Sequence, residues 1–262
     1  MLHNQVRFIM PVRVNPILRS LALCIFIVLS SPLSAYAESF STTNVQLLYG
    51  SNFHDNYYGN NTADGKMTTL TLEHFGLWKY GDHFFFIDLK SGDFLDFAGN
   101  PTANRSRIYS EWAPRLSLSA LGGNNLGFSI FKDFFIAGQI NRDGEGFKAD
   151  MGGIGVDLNI LGFNLFSINA YLRKDNLNKR TWQTTTVWML PLGPWLSCEG
   201  FIDIHGSDNN GTELHTQPQL LLNIGKAAEL GFDNLLLGVE WYYHRNRNLD
   251  SSALQMMMKW VW

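Results

Sequence analysis

Counting residues by twos puts seven aromatic side chains on the same faces as seven acids. The aromatics are Phe84, Phe86, Tyr109, Phe135, Tyr171, Phe201 and Tyr242; the acids are Glu73, Asp88, Glu111, Asp157, Glu199, Asp203 and Glu240. Five bases, Lys90, Arg107, Arg115, Arg173 and Lys259, share those faces. A flat ring stacks on an aromatic side chain with about 1–3 kcal/mol, and carboxylates and amides can then take its hydroxyl groups. Several weak sites in series suit passage better than retention. The candidate binding residues are therefore Phe84, Phe86, Asp88, Glu73, Tyr109, Glu111, Arg115, Tyr171, Phe201, Asp203, Glu240 and Tyr242. A blander reading competes, since a barrel interior needs large and opposed-charge side chains merely to fill and pair. Acids outnumber bases on these faces, which suits a neutral or cationic solute better than a phosphate.

Catalytic readings fare worse. His54, His74, His83, His205, His215 and His244 show no His-x-x-x-His spacing for a metal. Ser, His and Asp are all present, but sequence alone assembles no triad from them. Gly152-Gly153-Ile154-Gly155-Val156-Asp157 matches the start of a calcium-binding nonapeptide, a repeat that works in tandem and occurs here once. Glycine easing the curvature of a strand is the better reading. Asp93 with Asp96, or Asp143 with Glu145, could hold a cation, but a solvated loop is the better reading. No catalytic residue, metal or cofactor is expected.

The faces belong to strands. In 251–262 (SSALQMMMKWVW), Leu254, Met256, Met258, Trp260 and Trp262 alternate with Ala253, Gln255, Met257, Lys259 and Val261. A period of two with one apolar face marks a half-buried strand. Ending the apolar face on an aromatic suits a strand whose outer residues meet lipid and whose last ring meets the headgroups. An edge strand of a soluble sandwich is the rival. The same alternation recurs over 44–49, 67–75, 83–90, 107–119, 132–141, 148–160, 163–173, 195–205, 215–224 and 234–245. In 180–190 it is weakest, because Thr occupies both faces. That makes about twelve strands.

Ahead of them, 1–37 reads as an export signal. Arg7, Arg13 and Arg19 lead, 21–29 (LALCIFIVL) is a short apolar core, and Ala35-Tyr36-Ala37 offers a small-x-small cleavage site. Nine apolar residues fall well short of the roughly 20 needed to cross a bilayer as a helix. Without the signal's three Arg, the 20 basic residues become 17 against 23 acids, a balance of −6. No basic run exists, which argues against nucleic acid. Only Cys198 remains beyond the signal, so no intrachain disulfide is expected. The 24 Gly, 19 Phe, 9 Tyr and 8 Trp weight the chain toward a barrel over a soluble domain. Nothing divides 38–262, which reads as one domain.

The connections also alternate. Those at 51–66, 91–106, 141–147, 174–179, 206–214 and 246–250 read as mostly long and polar, those at 76–82, 120–125, 161–162, 191–194 and 225–233 as mostly short and rich in Gly or Pro. Long outer loops and short periplasmic turns are the pattern of an outer-membrane barrel. The expected fold is all-β, an up-and-down antiparallel transmembrane β-barrel of about twelve strands in the Gram-negative outer membrane.

Five fragments in order carry a resemblance: YSEWAPRLSLSAL (109–121), IFKDFFIAG (130–138), GIGVDLNILGFNLFSINAYLR (153–173), QPQLLLNIG (217–225) and ALQMMMKWVW (253–262). They resemble the Tsx-like family of nucleoside-specific channel-forming outer-membrane proteins, which includes OmpK-type phage receptors. Glu111, Pro114 and Arg115 form the most specific piece. The resemblance implies a monomeric twelve-stranded barrel whose narrow lumen binds nucleosides in passing through aromatic and ionisable side chains. The chain's loops are individual, so the family's nucleoside contacts do not map onto them. The expected function is a passive outer-membrane channel for nucleosides or similar small solutes. The alternatives are a closed surface receptor for phage or bacteriocin and, further off, a barrel enzyme.

Overall fold

A computed structural model describes residues 40–262; the signal read over 1–37 lies outside the described residues. In order the strands are β1 (Phe40–Ser51), β2 (His54–Asp55), β3 (Asn60–Trp78), β4 (Gly81–Phe94), β5 (Ser106–Ser117), β6 (Phe131–Asp143) and β7 (Lys148–Leu158). There follow β8 (Leu165–Asp175), β9 (Arg180–Pro191), β10 (Leu196–Ser207), β11 (Gly211–Thr216), β12 (Gln219–Asn223), β13 (Leu235–Arg245) and β14 (Asp250–Val261). Two short helices, α1 (Leu118–Gly122) and α2 (Ile224–Ala227), sit in connections.

Every pairing between neighbouring strands is antiparallel, and β1 pairs with β14 on one side and β3 on the other, which closes the sheet. Val45, for example, lies opposite both Trp260 and Leu72. Closure removes the free edges that would otherwise need cover. β11 and β12 are one crossing in two pieces, because both pair with β10 and β13. The break falls at Pro218, which has no N–H for the ladder, although its carbonyl still accepts from Trp241 N at 3.0 Å. β2 lies off the wall, so the barrel has twelve crossings.

Alternation sorts the faces as expected. Along β14, Ser251, Ala253, Gln255, Met257 and Lys259 are buried inside while Leu254, Met256, Met258 and Trp260 are exposed outside. β9 resolves the same way, with Gln183 and Thr185 inward and Trp182 outward. The outer surface is an apolar band that includes Leu47, Leu70, Ile136, Ile154, Leu172, Leu237 and Met256. Aromatics belt it near the termini (Phe40, Trp78, Trp195, Trp260, Trp262) and again at the far end (Tyr49, Trp182, Trp241). This is the outward face of a membrane barrel. The buried interior is chiefly polar and holds only small apolar clusters.

Three details differ from the sequence reading. The contrast in connection length is absent: 144–147, 176–179, 208–210 and 246–249 are short, while 118–130 and 224–234, at the end carrying the termini, are long. At the far end the strands run on into the expected loops, and local turns tighten them. Asp175, for one, accepts from the Leu177 and Asn178 amides at 2.9 and 2.6 Å. The strand expected over 107–119 ends at Ser117, whose hydroxyl caps α1 by accepting from Ala120 N at 2.9 Å. β3 begins at Asn60 rather than Met67, leaving 52–59 as a compact segment.

Candidate functional site

All twelve candidate residues lie on strands with side chains on the inner face. They divide by height. Nearest the termini, Arg115 of β5 bridges β4 and β7. Its Nε and Nη2 donate to Asp82 at 2.9 and 2.7 Å, and its Nη1 to Asp157 at 2.8 Å and Ser167 at 2.6 Å. The guanidinium lies 4.0 Å from the centre of the Phe135 ring. Bidentate pairing with two carboxylates fixes this cation tightly.

At mid-height the acids are served mostly by neutral groups. Glu111 accepts from Gln139 at 2.9 Å, Asn141 at 2.8 Å and the Tyr109 hydroxyl. Glu240 accepts from Gln219 and Gln255, each at 2.7 Å. Thr71 donates to Asp88 at 2.6 Å, and Thr185 donates to Asp203. Glu73 takes Asn44 at 2.8 Å, with Lys259 at 3.7 Å and bonded to Glu199. The cations are mostly committed: Arg115 as above, Arg173 to Asp175 at 2.8 Å, and Lys259 to Glu199. Asp88 also lies 3.9 Å from Lys90. The mid-height wall thus presents carboxyl oxygens bonded mostly to amides and hydroxyls, able to exchange those partners for a solute's hydroxyls.

One wall keeps its rings accessible. Phe84 and Phe86 of β4 and Tyr109 of β5 climb it as a ladder, with centroids 6.1 and 5.9 Å apart. All three are half-buried, as is Phe201 of β10. Tyr171 and Tyr242 are instead sealed, the first among Ala137, Ala149 and Met151, the second against Phe53. The sequence brings the first set together as a surface; the second set is covered by neighbours.

The mouth away from the termini holds residues that the sequence reading did not assign to the site. Segment 52–59 folds inward, with Phe53 and Asp55 fully buried. Asp55 accepts from the amides of Tyr57 and Tyr58 at 2.9 and 3.0 Å, a local turn. Its other oxygen reaches past β1 and β14 to the Tyr242 hydroxyl and to His244 Nδ1 of β13, the latter at 2.7 Å. His244 Nε2 in turn lies 3.0 Å from Glu213. Tyr58 stacks on the His244 ring at 4.0 Å and 5°, and its hydroxyl lies 3.1 Å from His205 Nε2. Gly59 closes the segment at φ +67, where a side chain would strike Arg107; that arginine donates to the Gly59 carbonyl. Burial pushes the Asp55 carboxyl up, but its bonds to His244, Tyr242 and the Tyr58 amide outweigh this and hold it below its ordinary 3.8. Beside Tyr58 a cavity of about 20 Å³, lined by Asn60, Lys90, Arg107, Tyr109 and Glu145, has room for a water and not for a solute. Counting by twos would have put His205, His215 and His244 on this inner face. Nothing local marks Asp55, whose partners lie 187 and 189 residues away. Among the described residues no group of three His, Cys, Asp or Glu side chains has the geometry to hold a metal.

The family described as "Nucleoside-specific channel-forming protein, Tsx" matches residues 49–246. An outer membrane protein OmpK of Vibrio parahaemolyticus serotype O3:K6 is 28% identical over 144 residues, 49% of this chain and 51% of that protein. A second OmpK from Vibrio parahaemolyticus is 27% identical over 123 residues, 42% of this chain and 46% of that one. The chain thus spans about half the length of the curated relatives it matches. Among solved structures, a NanC porin superposes with a TM-score of 0.50 at 8% identity, over 83% of this chain and 98% of that one. That likeness is one of fold alone.

Proposed function

The chain belongs to the Tsx family of nucleoside-specific channel-forming proteins, a β-barrel of the Gram-negative outer membrane, and on that premise we propose that it is a passive channel for nucleosides or similar small solutes. In an even-stranded barrel of this kind the end carrying both termini faces the periplasm, so segment 52–59 sits at the outer mouth. The observation that carries the reading is the ladder of Phe84, Phe86 and Tyr109 on a wall facing carboxyl groups bonded mostly to amides and hydroxyls. A nucleobase stacks on each ring for about 1–3 kcal/mol, and Glu73, Asp88, Glu111, Asp203 and Glu240 take ribose hydroxyls. Phe201 offers a second surface. Successive weak contacts let a solute enter and leave. Segment 52–59 is the constriction that it passes. No step needs catalysis or a cofactor, and the barrel works as a monomer in lipid.

Liposome swelling tests this. Purified barrel in liposomes is expected to admit nucleosides faster than sugars of equal size, and equal rates would refute selectivity. A second reading has its own support. The buried hook of Asp55 on Tyr242 and His244 closes the mouth, as in a receptor barrel that offers its outer loops to a phage or bacteriocin. Absence of any swelling, with binding of such a particle intact, would favour it.

A further inference from the structure

We infer that the outward rim of β6 to β9 is a seat for the phosphorylated glycolipid of the outer leaflet. Lys174 of β8 and Arg180 of β9 are exposed and stand directly opposite each other. Like charges facing across a sheet destabilise it unless an anion joins them. Lys148 of β7 adds a third cation on the same face. Among the described residues none of the three has an ion pair: Asp150, opposite Lys174, is engaged by Arg142 at 2.6 Å. Elsewhere on the rim Lys66 pairs with Asp64, Arg105 with Asp93 and Arg245 with Asp250. Among the described residues Lys179, in the connection between β8 and β9, and Arg247, between β13 and β14, have no ion pair. The unpaired cations therefore gather on one arc, where Lys148, Lys174, Lys179 and Arg180 stand together against a lone Arg247 elsewhere.

Height and relief say what fits it. The Lys174–Arg180 pair lies two residues, about 7 Å along the strands, beyond the lipid-facing pair of Leu172 and Trp182. That is headgroup level, just past the apolar band. Toward the middle of the membrane, Gly138 and Gly152 face each other outward, and a Cβ on Gly152 would meet nothing within 4 Å. Phosphates above a hollow for acyl chains describe a phosphorylated glycolipid better than a free anion. The inference rests on the outer-membrane placement and on this rim being the external one; it does not depend on what the lumen conducts.

Native mass spectrometry of the full barrel in detergent, titrated with bisphosphorylated lipid A, tests it. Retention of lipid A over phosphatidylcholine is expected. The double substitution Lys174→Gln with Arg180→Gln should weaken it about thirtyfold, at about 1 kcal/mol per cation near a charged lipid surface. Lys66→Gln should leave it unchanged. Should the double variant fail to fold, Lys174→Gln alone decides, at about fivefold. Unchanged affinity in whichever variant folds would overturn the proposal. So would displacement of lipid A by equimolar inorganic phosphate, or a dimeric mass in the parent that the substitutions abolish, since the arc would then hold a free anion or a second copy.

Discussion

Replacing Asp55 by Ala should release the segment that closes the outer mouth. Of the four hydrogen bonds Asp55 accepts, those from the Tyr57 and Tyr58 amides are local and would survive in a displaced segment. Those from Tyr242 and His244 come from β13, two strands round the wall, and exist only in the seated state. A hydrogen bond to a charged group contributes about 1.5–3 kcal/mol net, so the two together favour the seated state by about 3–6 kcal/mol. At tenfold per 1.4 kcal/mol, the lower bound shifts the seated-to-displaced ratio about a hundredfold. Tyr58 on His244 and Arg107 on the Gly59 carbonyl remain as the residual hold. Single-channel recording in planar bilayers reads this as a rise in open probability of up to about a hundredfold, with Tyr242→Phe giving a smaller rise. The carboxyl is held below 3.8, so its hold is fully present above that value and is lost only as pH falls through the lowered one. Acidification to pH 5 should therefore leave the parent unchanged. Parental open probability in Asp55→Ala would refute the reasoning, because the hook would then not be what holds the mouth.

Three further outcomes follow from the same geometry. Phe86→Ala should weaken nucleoside binding by about 1–3 kcal/mol with folding intact, read by block of pore current and by heat-modifiable migration; failure to insert would mean that Phe86 faces lipid. Arg115→Met should destabilise the barrel by about 3–5 kcal/mol in denaturant, because it strands the buried Asp82 and Asp157; adding Asp82→Asn and Asp157→Asn should recover part of the loss. Met256→Arg, on the outer face opposite Val239 and 73% exposed, should cost about 2–4 kcal/mol. Gln255→Ala, one residue away and inward, should cost less.

The wall of the barrel is legible in the sequence because its signal is local. Each strand repeats one binary choice every second residue, and in β14 that choice is visible from Ser251 to Trp260 without any partner. Pro218 also announces itself, since only a broken ladder accommodates it there. What fills the lumen is set by closure instead. Arg115 meets Asp82, Asp157 and Ser167 at separations of 33, 42 and 52 residues, so its inward direction is readable and its partners are not. Asp55 lies in no alternating run; its burial depends on closure bringing β13 within two strands of β1. Connection lengths misled because polar residues at strand ends read as loop, while β3 and β4 carry theirs into paired strand as far as Asn60 and Phe94.

Current through a single barrel while a nucleoside is titrated bears most directly on the central claim, that the inner faces form a selective aqueous passage. The expected result is a saturable block by nucleosides, weaker for a sugar of equal size and weakened again in Phe86→Ala. A barrel that carries no current once Asp55→Ala has freed the mouth, or a block that Phe86→Ala leaves untouched, would contradict it.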